Sequence, residues 1–243
     1  MSQQQQISTG ALFEPAYLAL REKEGRLYTD DELRRLPDVP PQHPYAAEWR
    51  MRRRSARRLC RWLARQQRPL RVLEVGCGNG WLAQQLAGVP GCTVVGTDVN
   101  RRELEQAARV FVRSNLFFTE AGLQAFEAGS FDVVLFAASL QYFPSLRATL
   151  DEACALLKPG GALHVLDTYF YGGEEAPAAA ARSRAYFASM GCAEMAGHYF
   201  HHGREGLAPF GPQLQNRAAL LLGGLFGGTK PFPWYLIPKP ATP

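Results

Sequence analysis

Leu70-Arg71-Val72-Leu73-Glu74-Val75-Gly76-Cys77-Gly78-Asn79-Gly80-Trp81 decides how the rest of this chain is read. An apolar run with one acid near its end is followed by three glycines at alternate positions. The run has the length and composition of a buried strand. Behind the last glycine, Leu82 and Leu86 stand four apart, the spacing of one helix face. A strand, a glycine turn and a helix N-terminus together form a nucleotide-binding crevice. Glycine suits such a turn because the backbone can approach a ligand with no Cβ in the way.

The spacing narrows the ligand. A dinucleotide fingerprint places its glycines as G-x-G-x-x-G. Here the order is Gly76-x-Gly78-x-Gly80, and a tryptophan follows, whose bulk argues against close pyrophosphate packing. Glu74 through Gly80 resembles the first motif of class I S-adenosylmethionine-dependent methyltransferases, E/D-x-G-x-G-x-G, at every fixed position. An ordinary tight strand-helix turn is the competing reading, so the segments downstream must decide.

Cys92-Thr93-Val94-Val95-Gly96-Thr97-Asp98 reads as a second strand ending in an acid, with Asn100 able to cap the next helix. An acid at that strand end accepts hydrogen bonds from ribose hydroxyls in nucleotide-binding βαβ units. Leu116 to Glu120 reads as a third strand. Phe131-Asp132-Val133-Val134-Leu135-Phe136 is a fourth, opening into Ala137-Ala138-Ser139-Leu140-Gln141-Tyr142-Phe143. Ser145 opens a helix with Leu146, Leu150, Ala153 and Leu157 on one face, and Lys158-Pro159-Gly160-Gly161 stops it. The fifth strand is expected over Ala162–Asp167.

The order and spacing of these segments extend the resemblance over roughly residues 70–170, closest to the type 11-like methyltransferase domain. It implies S-adenosylmethionine as the cofactor, with contacts at Glu74, Gly76, Cys77, Gly78, Gly80, Asp98, Val99, Glu120, Ala121 and Ala137. Glu120 departs from the aspartate usual at the adenine, and a surface glutamate is its alternative; backbone groups of Ala121 could read the base regardless. The segment after the fourth strand faces the transferred methyl group in this family. The Asn/Asp-Pro-Pro-Tyr of base N-methyltransferases is absent there.

Upstream, residues 11–24 carry a helical pattern ended by Gly25, and the polar residues before it read as a frayed tail. Thr29 with Glu32 has capping-box spacing. Prolines 37, 40, 41 and 44 force an extended connection. A helix from about Ala46 to Gln66 follows, with Trp49, Ala56, Leu59, Cys60 and Leu63 on its apolar face. Ten of the chain's 27 basic residues fall between Arg50 and Arg71 with no acid among them, so the remainder is net acidic. Three readings of that helix stand open: a solvated face, one arginine turned inward to hold a ligand carboxylate, or a nucleic-acid footprint.

Downstream, Pro177 to Met190 reads as a helix. His198, His201 and His202 would share a face if their segment were helical, but no carboxylate or cysteine completes a familiar metal set. Tyr142, Tyr169, His198 and His202 are the candidates for a base, none singled out by spacing. Aromatic and histidine residues from Tyr169 to His202 suit the wall of a small-molecule pocket. Phe232 to Pro238 reads as a last strand whose prolines favour an edge, whereas the resemblance implies an internal strand paired antiparallel, so its place in the sheet stays open.

The 243 residues, 47% hydrophobic and 20% charged, suit one globular unit. No stretch of about 18 apolar residues exists, the first residues lack a signal-peptide core, and five scattered cysteines form neither a disulfide framework nor a zinc pattern. A cytoplasmic setting is expected. The expected architecture is α/β and Rossmann-like: a mostly parallel seven-stranded sheet with helices on both faces, N-terminal helices over 1–45, and a methyltransferase domain over 46–243. Within it the cofactor core spans 70–170 and a substrate cap 171–230. The expected activity is methyl transfer to the O, C or N atom of a small organic molecule, with no metal, membrane or nucleic-acid partner. An RNA methyltransferase, a nicotinamide-dependent oxidoreductase and a non-catalytic S-adenosylmethionine-binding protein are the alternatives.

Overall fold

The computed structural model describes residues 3–217, 220 and 231–241. Five strands run parallel: β1 (Leu70–Val75), β2 (Cys92–Asp98), β3 (Leu116–Glu120), β4 (Phe131–Ala137) and β5 (Leu157–Leu166). With β6 (Gln213–Leu214) and β7 (Tyr235–Pro238) they form one sheet in the order β3-β2-β1-β4-β5-β7-β6. β7 is antiparallel to both β5 and β6. The strand order reverses between β1 and β4, and the carboxyl ends flanking that point form the crevice of an open α/β sheet.

The period-2 alternation of β1 and β4 makes two cores. Leu70, Val72, Val133 and Leu135 face α3 (Ala46–Ala64) and α4 (Trp81–Ala87). Leu73, Val75, Val134 and Phe136 face α6 (Leu146–Leu156) on the other side. α3 contributes Trp49, Ala56, Leu59 and Leu63, and burying a leucine of this kind stabilises by roughly 1.5–3 kcal/mol. Its arginines fill the remaining faces. The helix breaks at Arg65, close to the expected end.

The capping boxes and turns expected from composition are present. Thr29 and Glu32 cap α2 (Asp30–Arg35) reciprocally. Asn100 caps α5 (Arg101–Val110) and Ser145 caps α6. Gly25 ends α1 (Gln3–Lys23) with a φ of 66°.

Four expectations need correction. α1 runs Gln3–Lys23, so residues expected to fray are helical. β5 starts at Leu157, which pairs with Phe131, and Lys158-Pro159-Gly160-Gly161 bulges out before the ladder resumes at Ala162 opposite Val133. β7 is internal: Pro233 precedes it and Pro238 closes it, so neither proline removes a mid-strand donor, and the two-residue β6 takes the edge. His198 ends a 3₁₀ turn (Ala193–His198) while His201 and His202 lie in irregular chain, so the three share no helix face. Of the cap expected over 171–230, α7 (Glu175–Ser189) overlaps the helix expected over Pro177–Met190 but starts two residues earlier and ends one earlier, and residues 218–219 and 221–230 lie outside the described residues.

Candidate active site

The glycine turn closes on the end of β2. Amides of Gly76 and Cys77 both donate to the Thr97 carbonyl, at 2.8 and 3.1 Å. Gly76, Gly78 and Gly80 all have positive φ, from 52° to 74°, which L side chains rarely adopt. A Cβ on Gly76 would lie 2.5 Å from that of Ser139, and one on Gly78 would lie 2.9 Å from a Glu103 carboxylate oxygen. The glycines therefore answer to close approach as well as to backbone angle.

Asp98 moors this turn. One carboxylate oxygen accepts from the Gly78 amide at 2.7 Å, and the other from the Val99 and Asn100 amides at 2.8 and 2.9 Å. Burial raises its pKa above the usual carboxylate range, opposed by those three amides. Val99 beside it is 44% exposed, an apolar side chain open beside the crevice. Thr97 donates to the Ala121 carbonyl at 2.6 Å, which orders the turn after β3, and the Glu120 side chain points to solvent.

Glu74 lies buried beneath the turn at 3% exposure, and one of its carboxylate oxygens has no partner. Burial, with the Asp98 charge adding to it, pushes its carboxyl well above the usual range. Cys77 is buried too, and its thiol is pushed up for the same reasons. The Trp81 ring turns into the α3 core, 5.3 Å from Trp49 and edge-on, rather than crowding the turn as its bulk suggested.

Two functional neighbours escaped the sequence reading. Glu103 takes part in the cap of α5, its amide donating to the Asn100 side chain. Its carboxyl, however, is buried against Gly78, and burial next to Asp98 raises its pKa to about 7. Ser139 donates to the Val75 carbonyl at 2.6 Å and locks the opening of β4 against β1. No spacing signal marks either residue, because both contacts are made across the crevice.

α1 lies over this end of the sheet. Glu14 accepts from the Arg102 amide at 3.0 Å, and Arg21 donates to the Tyr142 hydroxyl at 3.3 Å. Phe13 and Tyr17 pack on Tyr142 with centroids 5.3 and 5.7 Å away. Tyr199 joins Tyr142 at 5.6 Å, and His198 meets Phe13 edge-on. Burial raises the Tyr17 and Tyr199 hydroxyls far above their usual range.

Of the candidate bases, then, the fold brings Tyr142 and His198 into one aromatic cluster. His202 is buried and its Nε2 lies 3.1 Å from the Leu140 carbonyl, a tie between cap and β4 turn. Burial lowers its pKa, as it does for His201, which sits beside Ser183 and Tyr171. Tyr169 is 48% exposed and pairs with Tyr171 apart from the cluster. Among the described residues no group of three His, Cys, Asp or Glu is placed to hold a metal, and no helix is long and apolar enough to cross a membrane.

Past β5 the chain turns at Asp167 with a φ of 53°. Ser55 of α3 donates to its carboxylate at 2.6 Å, and Arg52 lies near. Burial raises the Asp167 pKa to about 6 against the pull of Arg52 and Ser55. Because Ala138 donates to the Leu166 carbonyl, this polar group stands beside the turn that follows β4. Arg52 itself pairs with Glu48.

These residues fit S-adenosylmethionine. The positive-φ glycine turn, the acid at the end of β2 with an open apolar neighbour, and an unpartnered buried oxygen on Glu74 lie together at this end of the sheet.

Comparison with known proteins agrees. A family model described as a methyltransferase domain matches residues 47–208. A ubiquinone biosynthesis O-methyltransferase of Vibrio parahaemolyticus is 34% identical over 96 residues, covering 37% of this chain and 40% of that protein. A sterol 24-C-methyltransferase of Schizosaccharomyces pombe is 31% identical, over 40% of this chain and 27% of that one. The chain thus spans well under half the length of these curated relatives. A crystal structure from Galdieria sulphuraria, described as a sarcosine dimethylglycine methyltransferase, shares the fold with a TM-score of 0.53 at 13% identity, covering 78% of this chain and 88% of that one. With a methyltransferase-domain model matched over residues 47–208, most of its length, the chain belongs to the class I S-adenosylmethionine-dependent methyltransferase family.

Proposed function

We propose that this protein transfers the methyl group of S-adenosylmethionine to a small organic acceptor. The observation that carries the reading is the positive-φ glycine turn moored to Asp98 at the end of β2, with α1 packed over the same end of the sheet through Glu14 on Arg102 and its aromatic residues on Tyr142. Relatives that are a ubiquinone biosynthesis O-methyltransferase, a sterol 24-C-methyltransferase and a malonyl-[acyl-carrier protein] O-methyltransferase support acceptors other than nucleic acid.

Glu74, Gly76, Cys77, Gly78 and Gly80 would hold the amino-acid side of the cofactor, and Asp98 its ribose. Val99, Glu120 and Ala121 would flank the adenine, and Ala137 the sulfur end. When bound, S-adenosylmethionine supplies a methyl carbon activated by the sulfonium charge. What the chain adds is alignment and exclusion of water. Phe13, Tyr17, Tyr142 and Tyr199 form the dry wall. Asp167, oriented by Ser55 and poised by burial near neutrality, is the group beside the β4 turn able to accept a proton from an acceptor hydroxyl or amine.

Calorimetric titration with S-adenosylhomocysteine tests the first half, and absence of binding at millimolar ligand refutes it. Incubation with S-adenosylmethionine and a panel of phenols, alcohols, amines and carboxylates tests the second. Binding without turnover on any of them favours the non-catalytic reading.

A further inference from the structure

The C-terminal half of α3 does something the crevice does not need. Arg58, Arg61 and Arg65 stand three and four residues apart, so they line one side of the helix. Among the described residues none of them pairs with a carboxylate, whereas Arg52 and Arg53 on the same helix pair with Glu48 and Asp38. The three guanidinium groups border an open groove of about 380 Å³, together with Trp62, Trp234 and Gln215. That volume lies within the range of small-molecule sites, roughly 300–1,000 Å³.

The groove wall is built. The Trp234 indole N–H donates to Nδ1 of His164 at 2.9 Å, and the Trp62 ring meets the His164 ring edge-on at 4.4 Å. Asn216 holds Trp234 in turn, accepting from its amide at 2.9 Å and donating to the Phe232 carbonyl at 2.8 Å. His164 is fully buried, and loss of solvent pushes its pKa down to about 3, so it stays neutral. The charge of the groove therefore comes from the arginines. They lie beyond Ser55, one to three helical turns from the Asp167 contact, so a ligand there leaves the methyl-transfer crevice free.

We propose that this groove binds a small phosphate-bearing molecule at a site separate from the methyl-transfer crevice. Three guanidinium forks match the several acceptor oxygens of a phosphate or diphosphate, and bidentate pairing favours such anions over singly charged ones. The indole faces supply apolar cover for whatever the phosphate carries.

Inorganic pyrophosphate is the probe, titrated into the full chain at about 0.15 M salt, where a diffuse helical field is largely screened. The expected result is saturable 1:1 binding by calorimetry, with a dissociation constant well below 1 mM. The variant Arg58→Gln/Arg61→Gln/Arg65→Gln should lose at least about tenfold in affinity, which is 1.4 kcal/mol. Arg50→Gln/Arg54→Gln, which removes two charges of the same helix outside the groove, should retain it. Trp62→Phe should change the fluorescence response to pyrophosphate while the protein stays folded. Equal losses in the groove and control variants would overturn the proposal, as would no saturation below 1 mM. It is also overturned if a short RNA binds more tightly than pyrophosphate and depends equally on all five arginines. Retained S-adenosylhomocysteine binding in the groove variant separates this outcome from failure of the methyltransferase reading.

Discussion

Replacing Asp98 by asparagine tests the link between the glycine turn and the cofactor. The wild-type carboxylate accepts three amide hydrogens on two oxygens. Asparagine keeps one oxygen, which can still face the Val99 and Asn100 amides. Its amide nitrogen then meets the Gly78 N–H donor to donor. A charge-assisted bond worth about 1.5–3 kcal/mol is lost, and a poorly solvated amide is left without a partner. Together these cost about 2–4 kcal/mol in the turn. Part of that cost falls on cofactor affinity, because Gly78 belongs to the cradle. A loss of about 2–3 kcal/mol corresponds to roughly 30–150-fold weaker binding. S-adenosylhomocysteine titration of both proteins, with melting curves at pH 7.5, measures both parts. An affinity within twofold of wild type with an unshifted melting temperature would refute the reasoning. It would mean that the Gly78 contact carries no net anionic character.

Two further outcomes follow from buried carboxyls. Glu103 titrates at about 7 in the folded chain because of burial beside Asp98, above its unfolded value of about 4.3. The native state therefore holds the extra proton between those values, and stability falls as pH rises through that window. Glu103→Gln should flatten the decline, recovering on the order of 3 kcal/mol by pH 8; urea unfolding at pH 5, 6, 7 and 8 with equal slopes for both proteins would count against it. At the opposite, amino-terminal end of the strands Asp132 is 5% exposed and accepts from Arg68, Lys158 and the Arg71 amide. Burial works against its charge, yet those partners hold its pKa below the usual range. This contribution is present above the unfolded pKa and is lost as pH falls through the folded one. Asp132→Ala should destabilise by about 1–3 kcal/mol, toward the low end because both cations are half-exposed. An unchanged urea midpoint at pH 7 would sink the assignment.

Local signals carried most of the frame. The apolar runs of β1, β2 and β4, the caps at Thr29, Asn100 and Ser145, and the glycine turn are written in neighbouring residues, so period and turn chemistry alone mark them. The resemblance of Glu74–Gly80 and the segments after it was enough to indicate the family and its cofactor. Only tertiary structure decided what crosses the crevice. Glu103 against Gly78, Ser139 on Val75, Ser55 on Asp167 and α1 over Tyr142 join residues far apart in the chain. No periodicity records such pairs. The same holds for the internal place of β7, whose prolines signalled an edge until the neighbouring β6 was seen beside it. The histidines make the contrast plain: their spacing suggested one helix face, but the chain leaves its 3₁₀ turn at His198 and packs His202 against the Leu140 carbonyl instead. Spacing governs a side chain's direction only while the backbone stays regular, and beyond that point packing decides.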